Sequence, residues 1–189
     1  MPETAPPPEF ARLSLAEIAG YAAERRLPPV ESWNPPHRGD SGIRIARDGA
    51  WLHEGAPIGR APMVRLFSSI LHREPDGGYA LVTPHEKLSI EVEDAPFVAV
   101  ELKTEGSGRD RRLAFRLNTD DIVIADASHP LRFAAKDGGV QPYLAVRGGL
   151  DALVARPVYY ELANLAIDED ADPLGLWSEA AFFEFDPAA

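Results

Sequence analysis

The chain has 189 residues, 45% hydrophobic and 26% charged, an ordinary balance for a globular protein long enough to bury an apolar interior in one domain or two small ones sharing a core. A formal net charge of -11 excludes a general nucleic-acid binder, since such proteins need a basic surface to release counterions. With no cysteine there is no disulfide, thiolate zinc site or thiol nucleophile, which fits a reducing cytoplasm.

Residues 1–27 read as a loose, proline-rich start followed by a capped helix. Ser14-Leu15-Ala16-Glu17 is a capping-box pattern, and Leu15, Ile18, Ala19 and Ala22 form its apolar stripe. The start lacks the basic residues and apolar core of a signal peptide, and no apolar run approaches the ~20 residues of a membrane helix. A soluble, cytoplasmic protein with no membrane partner is expected.

Residues 43–60 read as a hairpin. Ile43 and Ile45 alternate before Asp48-Gly49, a two-residue turn signal in which glycine accepts positive φ, and Trp51 follows. Gly55-Ala56-Pro57 makes a second turn. A helix from about Pro62 to His72 comes next, with Val64, Phe67, Ile70 and Leu71 on one side. The middle predicts an antiparallel meander through Leu88/Ile90/Val92, Val98/Val100/Leu102 and Leu113/Phe115/Leu117, with Gly106-Ser107-Gly108 looping between the last two. Ile122 to Ala125 and Leu131 to Phe133 extend it. A second helix runs to about Ala166, and a final aromatic strand spans Trp177 to Phe185.

An internal echo suggests duplication at an offset of about a hundred residues. Ile43 to Gly49 recurs as Tyr143 to Gly149, and each copy leads to an arginine and a proline at a helix start, Arg60 with Pro62 and Arg156 with Pro157. The two halves expected are residues 28–84 and 85–189, with a cleft between them.

Most familiar chemistries are unsupported. His37, His53, His72, His85 and His129 stand singly, without metal-ligand spacing, and no metal or cofactor is expected. There is no Walker loop, dinucleotide fingerprint or Gly-x-Ser-x-Gly elbow. Gly108 to Arg112 reads as a solvated basic turn. Trp33, Trp51 and Trp177 could stack on a planar ligand or simply fill the core. Arg60 and Arg156 are more informative, because a cation at a helix N-terminus is disfavoured unless an anion is near. The anion is either a bound ligand, gaining from the arginine fork and the free amides, or an internal acid. Thr83-Pro84-His85-Glu86-Lys87 gathers several polar groups on what is otherwise a plain connecting turn.

These motifs together resemble the bacterial family catalogued as domain of unknown function 1285. The resemblance is carried by Trp33-Asn34-Pro35-Pro36 with Gly39-Asp40, Ile45 to Trp51, Gly55 to Arg60, Val64 to Phe67, Leu81 to Pro84 with Glu86-Lys87, and Val92 to Phe97. It continues through Asn118-Thr119-Asp120, His129-Pro130, Arg147-Gly148-Gly149, Arg156 to Tyr160 and Trp177-Ser178 with Phe182-Phe183. It implies two related α+β halves built on antiparallel sheet, the second superficially pleckstrin-homology-like. It also implies a cleft suggested to hold a nucleotide-like ligand in signal transduction. No enzymatic activity and no catalytic residue come with it.

The expected function is therefore a cytoplasmic regulatory protein sensing a nucleotide-like or other anionic small molecule in signal transduction. Arg60, Arg65, Arg147 and Arg156 would supply charge, and Asp40, Thr83, Glu86 and Lys87 would orient the ligand. The alternatives are a signalling adaptor with a large exposed apolar patch, and a hydrolase in which His37, His85 or His129 meets an acid in a concave pocket.

Overall fold

A computed structural model of the chain describes Ser14, residues 27–136 and residues 139–185. The helix expected after Ser14 falls on residues 15–26, outside the described residues.

The first half runs β1 (His37–Ile45), β2 (Trp51–His53), β3 (Ala56–Pro57), helix α1 (Ala61–Ser69), β4 (Leu71–Arg73), β5 (Tyr79–Val82) and β6 (Glu86–Val92). The second runs β7 (Phe97–Glu105), β8 (Arg112–Leu117), β9 (Ile122–Ile124), β10 (Leu131–Lys136), β11 (Gly139–Arg147), β12 (Leu150–Val154) and helix α2 (Arg156–Glu169), followed by a hairpin of β13 (Gly175–Ser178) and β14 (Ala181–Glu184). The architecture is α+β.

Both large sheets follow one topology. The first has strand order β3-β2-β1-β6-β5-β4 and the second β10-β11-β12-β7-β8-β9. Each is two three-stranded antiparallel meanders joined by a central parallel pair, β1 with β6 and β7 with β12. The second half is a six-stranded sheet followed by a C-terminal helix, α2.

This topology corrects the period of the duplication. β1 begins at His37 and its counterpart β7 at Phe97, so the repeat runs at about sixty residues, not a hundred. The Tyr143 to Gly149 segment is the counterpart of β5 and its turn, and it resembles β1 because both are alternating strands entering glycine turns. The helices are not equivalent either. α1 lies between β3 and β4, whereas α2 follows β12.

Other expectations shift for local reasons. The middle meander divides between β6 and β7, which belong to different sheets, because alternation marks a strand without naming its partner. The first half therefore extends through Val92 and does not end at residue 84. The turn between β1 and β2 is a three-residue loop closed by the amide of Gly49 on the Ala46 carbonyl at 2.9 Å, with Gly49 at φ +88°. α1 stops at Ser69, and Leu71 joins β4. The single closing strand is instead a hairpin, since Glu179 and Ala180 turn the chain at φ +48° and +63° without the glycine that would signal it. Arg111, inside the basic turn, is buried.

One apolar cluster includes residues of both halves, from Ile43, Ile45 and Trp51 to Phe97, Phe115, Leu144 and Leu162. α2 contributes Val158, Leu162 and Ala166, spaced to put one face on the core. Trp51, 3% exposed, stacks on Phe67 of α1 with ring centroids 6.4 Å apart. Polar contacts fasten the junction between the halves. Asn118 accepts from the Val98 amide at 3.0 Å and donates to the Gly49 carbonyl at 3.2 Å. Asp94, just after β6, accepts from Lys136 Nζ at 2.7 Å and from the Tyr143 hydroxyl at 2.8 Å, with Arg47 Nε 3.3 Å from its other oxygen.

Candidate functional site

Three surface hollows formed by described residues lie at or near the junction. The first, of about 410 Å³, is walled by the 27–32 segment, the end of α1 with β4, and the turn after β11. The second, about 570 Å³, lies between Arg47, the start of β11, the end of β12 and the start of α2. The third, about 400 Å³, lies between the β1–β2 loop, the start of α1 and the β8–β9 turn.

The eight residues expected to form a site are dispersed. Asp40 lies on β1, where Oδ1 accepts from the Gly42 amide at 3.0 Å and the Ser89 hydroxyl at 3.3 Å, a use internal to the sheet. Thr83 caps its own turn by accepting from the amides of His85 and Glu86. Glu86 is exposed at the start of β6. Lys87 pairs with Glu74 at 2.8 Å and Arg65 with Asp120 at 2.6 Å. Of the eight, only Arg65 lines the third hollow, only Arg156 the second and only Arg147 the first; Arg60 lines none of them. The shared cleft expected between the two helix starts is therefore not formed by these hollows.

The helix starts do match their expected local form. Arg60 is the N-cap of α1 and Arg156 the first residue of α2, each followed within two positions by proline, and both side chains are exposed. Arg156 shares its hollow with Arg47, Tyr159 and Tyr160. Arg47 was not anticipated, and its charge is engaged by Asp94.

Arg147 stands apart. It ends β11, immediately before the Gly148-Gly149 turn, whose residues adopt φ +50° and +76° and so reverse the chain in two residues. The turn holds the arginine against the first half. Its Nη2 donates to the Ser68 carbonyl at 2.5 Å, and its guanidinium carbon lies 5.2 Å from the centre of the Phe97 ring. No carboxylate lies within ion-pair distance among the described residues, and burial pushes the guanidinium below its ordinary value. An arginine has five N–H donors. One is used here.

The walls around it are largely apolar: Leu27, Pro28, Pro29, Val30, Leu71 and Leu150. Glu31, Ser32, Ser69 and His72 supply the remaining polar groups. Both hydroxyls are committed as donors, Ser32 to the Pro29 carbonyl at 2.7 Å and Ser69 to the Leu66 carbonyl at 2.6 Å. His72 Nε2 lies 3.8 Å from Glu74.

The alternatives gain less. His129 Nδ1 is 3.0 Å from Asp126 Oδ1, but Asp126 also accepts from the amides of Ser128 and His129, and neither residue lines any of the three hollows. Exposed apolar residues are spread over separate elements, with Met63 and Leu66 on α1 and Tyr160 and Ile167 on α2. Among the described residues no cluster of three or more His, Asp or Glu could hold a metal ion, and no helix is long and apolar enough to cross a membrane.

Known proteins bear on most of the chain. A search of curated proteins gives no match. A crystal structure of a DUF1285 family protein from Silicibacter pomeroyi DSS-3 is 45% identical with a TM-score of 0.78, the match covering 88% of this chain and 93% of that one. A second, from Shewanella baltica OS155, is 28% identical with a TM-score of 0.51, over 65% of this chain and 91% of that one. Residues 28–95 match the family model described as "Domain of unknown function (DUF1285), N-terminal domain", and residues 96–185 that described as "Protein of unknown function (DUF1285), C-terminal domain". Their boundary falls in the link between β6 and β7, where one sheet ends and the other begins, and together they span both halves: the chain belongs to the DUF1285 family.

Proposed function

We propose that the protein is a ligand-binding regulatory module of the cytoplasm that holds a small anionic molecule between its halves, with Arg147 as the anion's main partner. The observation that carries this reading is a half-buried guanidinium with no carboxylate in ion-pair distance among the described residues, facing a hollow built from both halves. A desolvated charge is costly unless it is paired, and an anion in the hollow would meet four unused N–H donors in a partly dry setting. Binding there would also couple the halves, which suits a sensor whose output is a change in their relative stability. A cysteine-free chain suits a reducing compartment.

The test is a thermal screen of anionic metabolites on the full chain. A ligand at a hundred times its Kd stabilises by about 2.7 kcal/mol, a rise in Tm on the order of 5 to 10 °C for a chain of this size. Arg147→Met is expected to abolish that rise. A screen that stays flat across carboxylates, phosphates and nucleotides, or a rise that survives the substitution, overturns the reading.

A further inference from the structure

The hollow around Arg147 contains more information than the sign of its ligand's charge. Among the described residues three titratable side chains line it: Arg147, Glu31 and His72. Glu31 already brings a negative charge, its Oε1 lying 3.2 Å from the position a Cβ on Gly148 would occupy. His72 stands 3.8 Å from Glu74. The two serine hydroxyls are spent as donors on backbone carbonyls. Among the described residues one guanidinium is therefore the single strong donor group, opposed by one acid at the rim.

The guanidinium can pair with one negative charge, and the acid at the rim repels a second. A phosphomonoester brings about −1.5 to −2 at neutral pH, and a nucleotide polyphosphate more, which exceeds what the one guanidinium among the described lining residues can pair. A carboxylate brings one charge and matches the guanidinium fork. The rest of the wall decides what the carboxylate is attached to. The side chains of Leu27, Val30, Leu71, Leu150 and the two prolines offer no hydrogen bonds to the hydroxyls of a ribose or sugar, whereas they would bury methylene groups.

We propose that the ligand of this hollow is a small monocarboxylate with an apolar body, such as a short or medium-chain carboxylic acid, and not a nucleotide or phosphorylated metabolite. This rests on the anion-site reading above and narrows it. It departs from the nucleotide-like ligand that the family resemblance implies, for reasons of charge count and wall chemistry.

Calorimetric titration of the full chain with hexanoate, octanoate and decanoate tests it, with octyl phosphate, AMP and ATP as comparisons. Affinity is expected to rise about fourfold per added methylene until the hollow is filled. Octyl phosphate is expected to bind no tighter than octanoate. Arg147→Met should weaken octanoate roughly ten- to a hundredfold. Val30→Glu, which adds a charge to the wall and touches no core position, should weaken it comparably and keeps the test open if the arginine variant fails to fold. Tighter binding of octyl phosphate or AMP, lost in Arg147→Met, overturns the carboxylate inference and upholds the anion site. Chain-length dependence unchanged in both variants is adsorption elsewhere and overturns the inference. Absence of binding by all six probes sinks both readings.

Discussion

A single hydroxyl joins three segments of the second half. Ser178 Oγ, fully buried on β13, accepts from the Leu113 amide at 2.9 Å and donates to the Ala125 carbonyl at 2.6 Å. Ser178→Ala leaves an amide and a carbonyl unpaired in a dry setting, with an expected loss of about 1–3 kcal/mol in denaturant titration. A loss under ~0.5 kcal/mol, the size of an ordinary surface change, would show that both groups find other partners. Nothing local distinguishes this serine from Ser68 or Ser128, because its role depends on segments more than fifty positions away. Arg147 was legible as a charged residue before a glycine turn, but its burial and its lack of an acid among the described residues were not, since both depend on how the halves meet. Lys87 and Arg65 illustrate the converse. Both were expected to serve a ligand, and folding brings each an acid from another segment.

At the scale of elements, α2 is held at both ends. Pro157 opens it, and near its C-terminus Glu169 Oε1 accepts from Arg111 at 2.6 and 3.0 Å and from the Gly108 amide at 2.8 Å. The pair is 8% and 14% exposed. Glu169→Ala strands the Arg111 charge, with an expected cost of about 3–5 kcal/mol, read as a lower urea midpoint at unchanged slope. A double variant that also replaces Arg111 with leucine should recover part of that loss, and failure to do so would place the cost in the helix itself. Turns and amphipathic stripes at this scale were legible because they are local: Gly49, the Gly148-Gly149 pair and the Val64/Phe67 stripe all appear where the sequence puts them. Strand partners were not. Leu88/Ile90/Val92 and Val98/Val100/Leu102 alternate alike, yet lie in separate sheets.

For the whole molecule, the shared core and the Asp94 cluster predict how it fails in acid. Burial resists ionisation of Asp94, only 5% exposed, but hydrogen bonds from Lys136 and Tyr143 and the charges of Lys136 and Arg47 outweigh it and hold the carboxyl below its ordinary value of 3.8. A lowered folded-state value contributes stability that is complete above the unfolded value of about 3.9 and is lost as pH falls through the folded one. Acid unfolding followed by tryptophan fluorescence and far-ultraviolet dichroism should therefore show one coincident transition setting in below about pH 4. Asp94→Asn should make the stability curve shallower in that window. Two separate transitions would mean that the halves do not share a core, and an unaltered slope in the variant would move the acid sensitivity elsewhere.

The parallel pair at the centre of each sheet also sets a schedule for biosynthesis. β1 leaves the ribosome first and can close its hairpin with β2 at once, but its other edge waits for β6, the last strand of the same half. β7 waits for β12 in the same way. For the time taken to synthesise the intervening residues, each nascent half carries an open edge in what will become the middle of its sheet, where natural edge protection by charge or proline would spoil the finished core. Such distant closures make folding slow relative to chain length. A protein wired this way is most exposed to mispairing just before each half is complete, and the second copy of the same wiring, still emerging, is the nearest wrong partner.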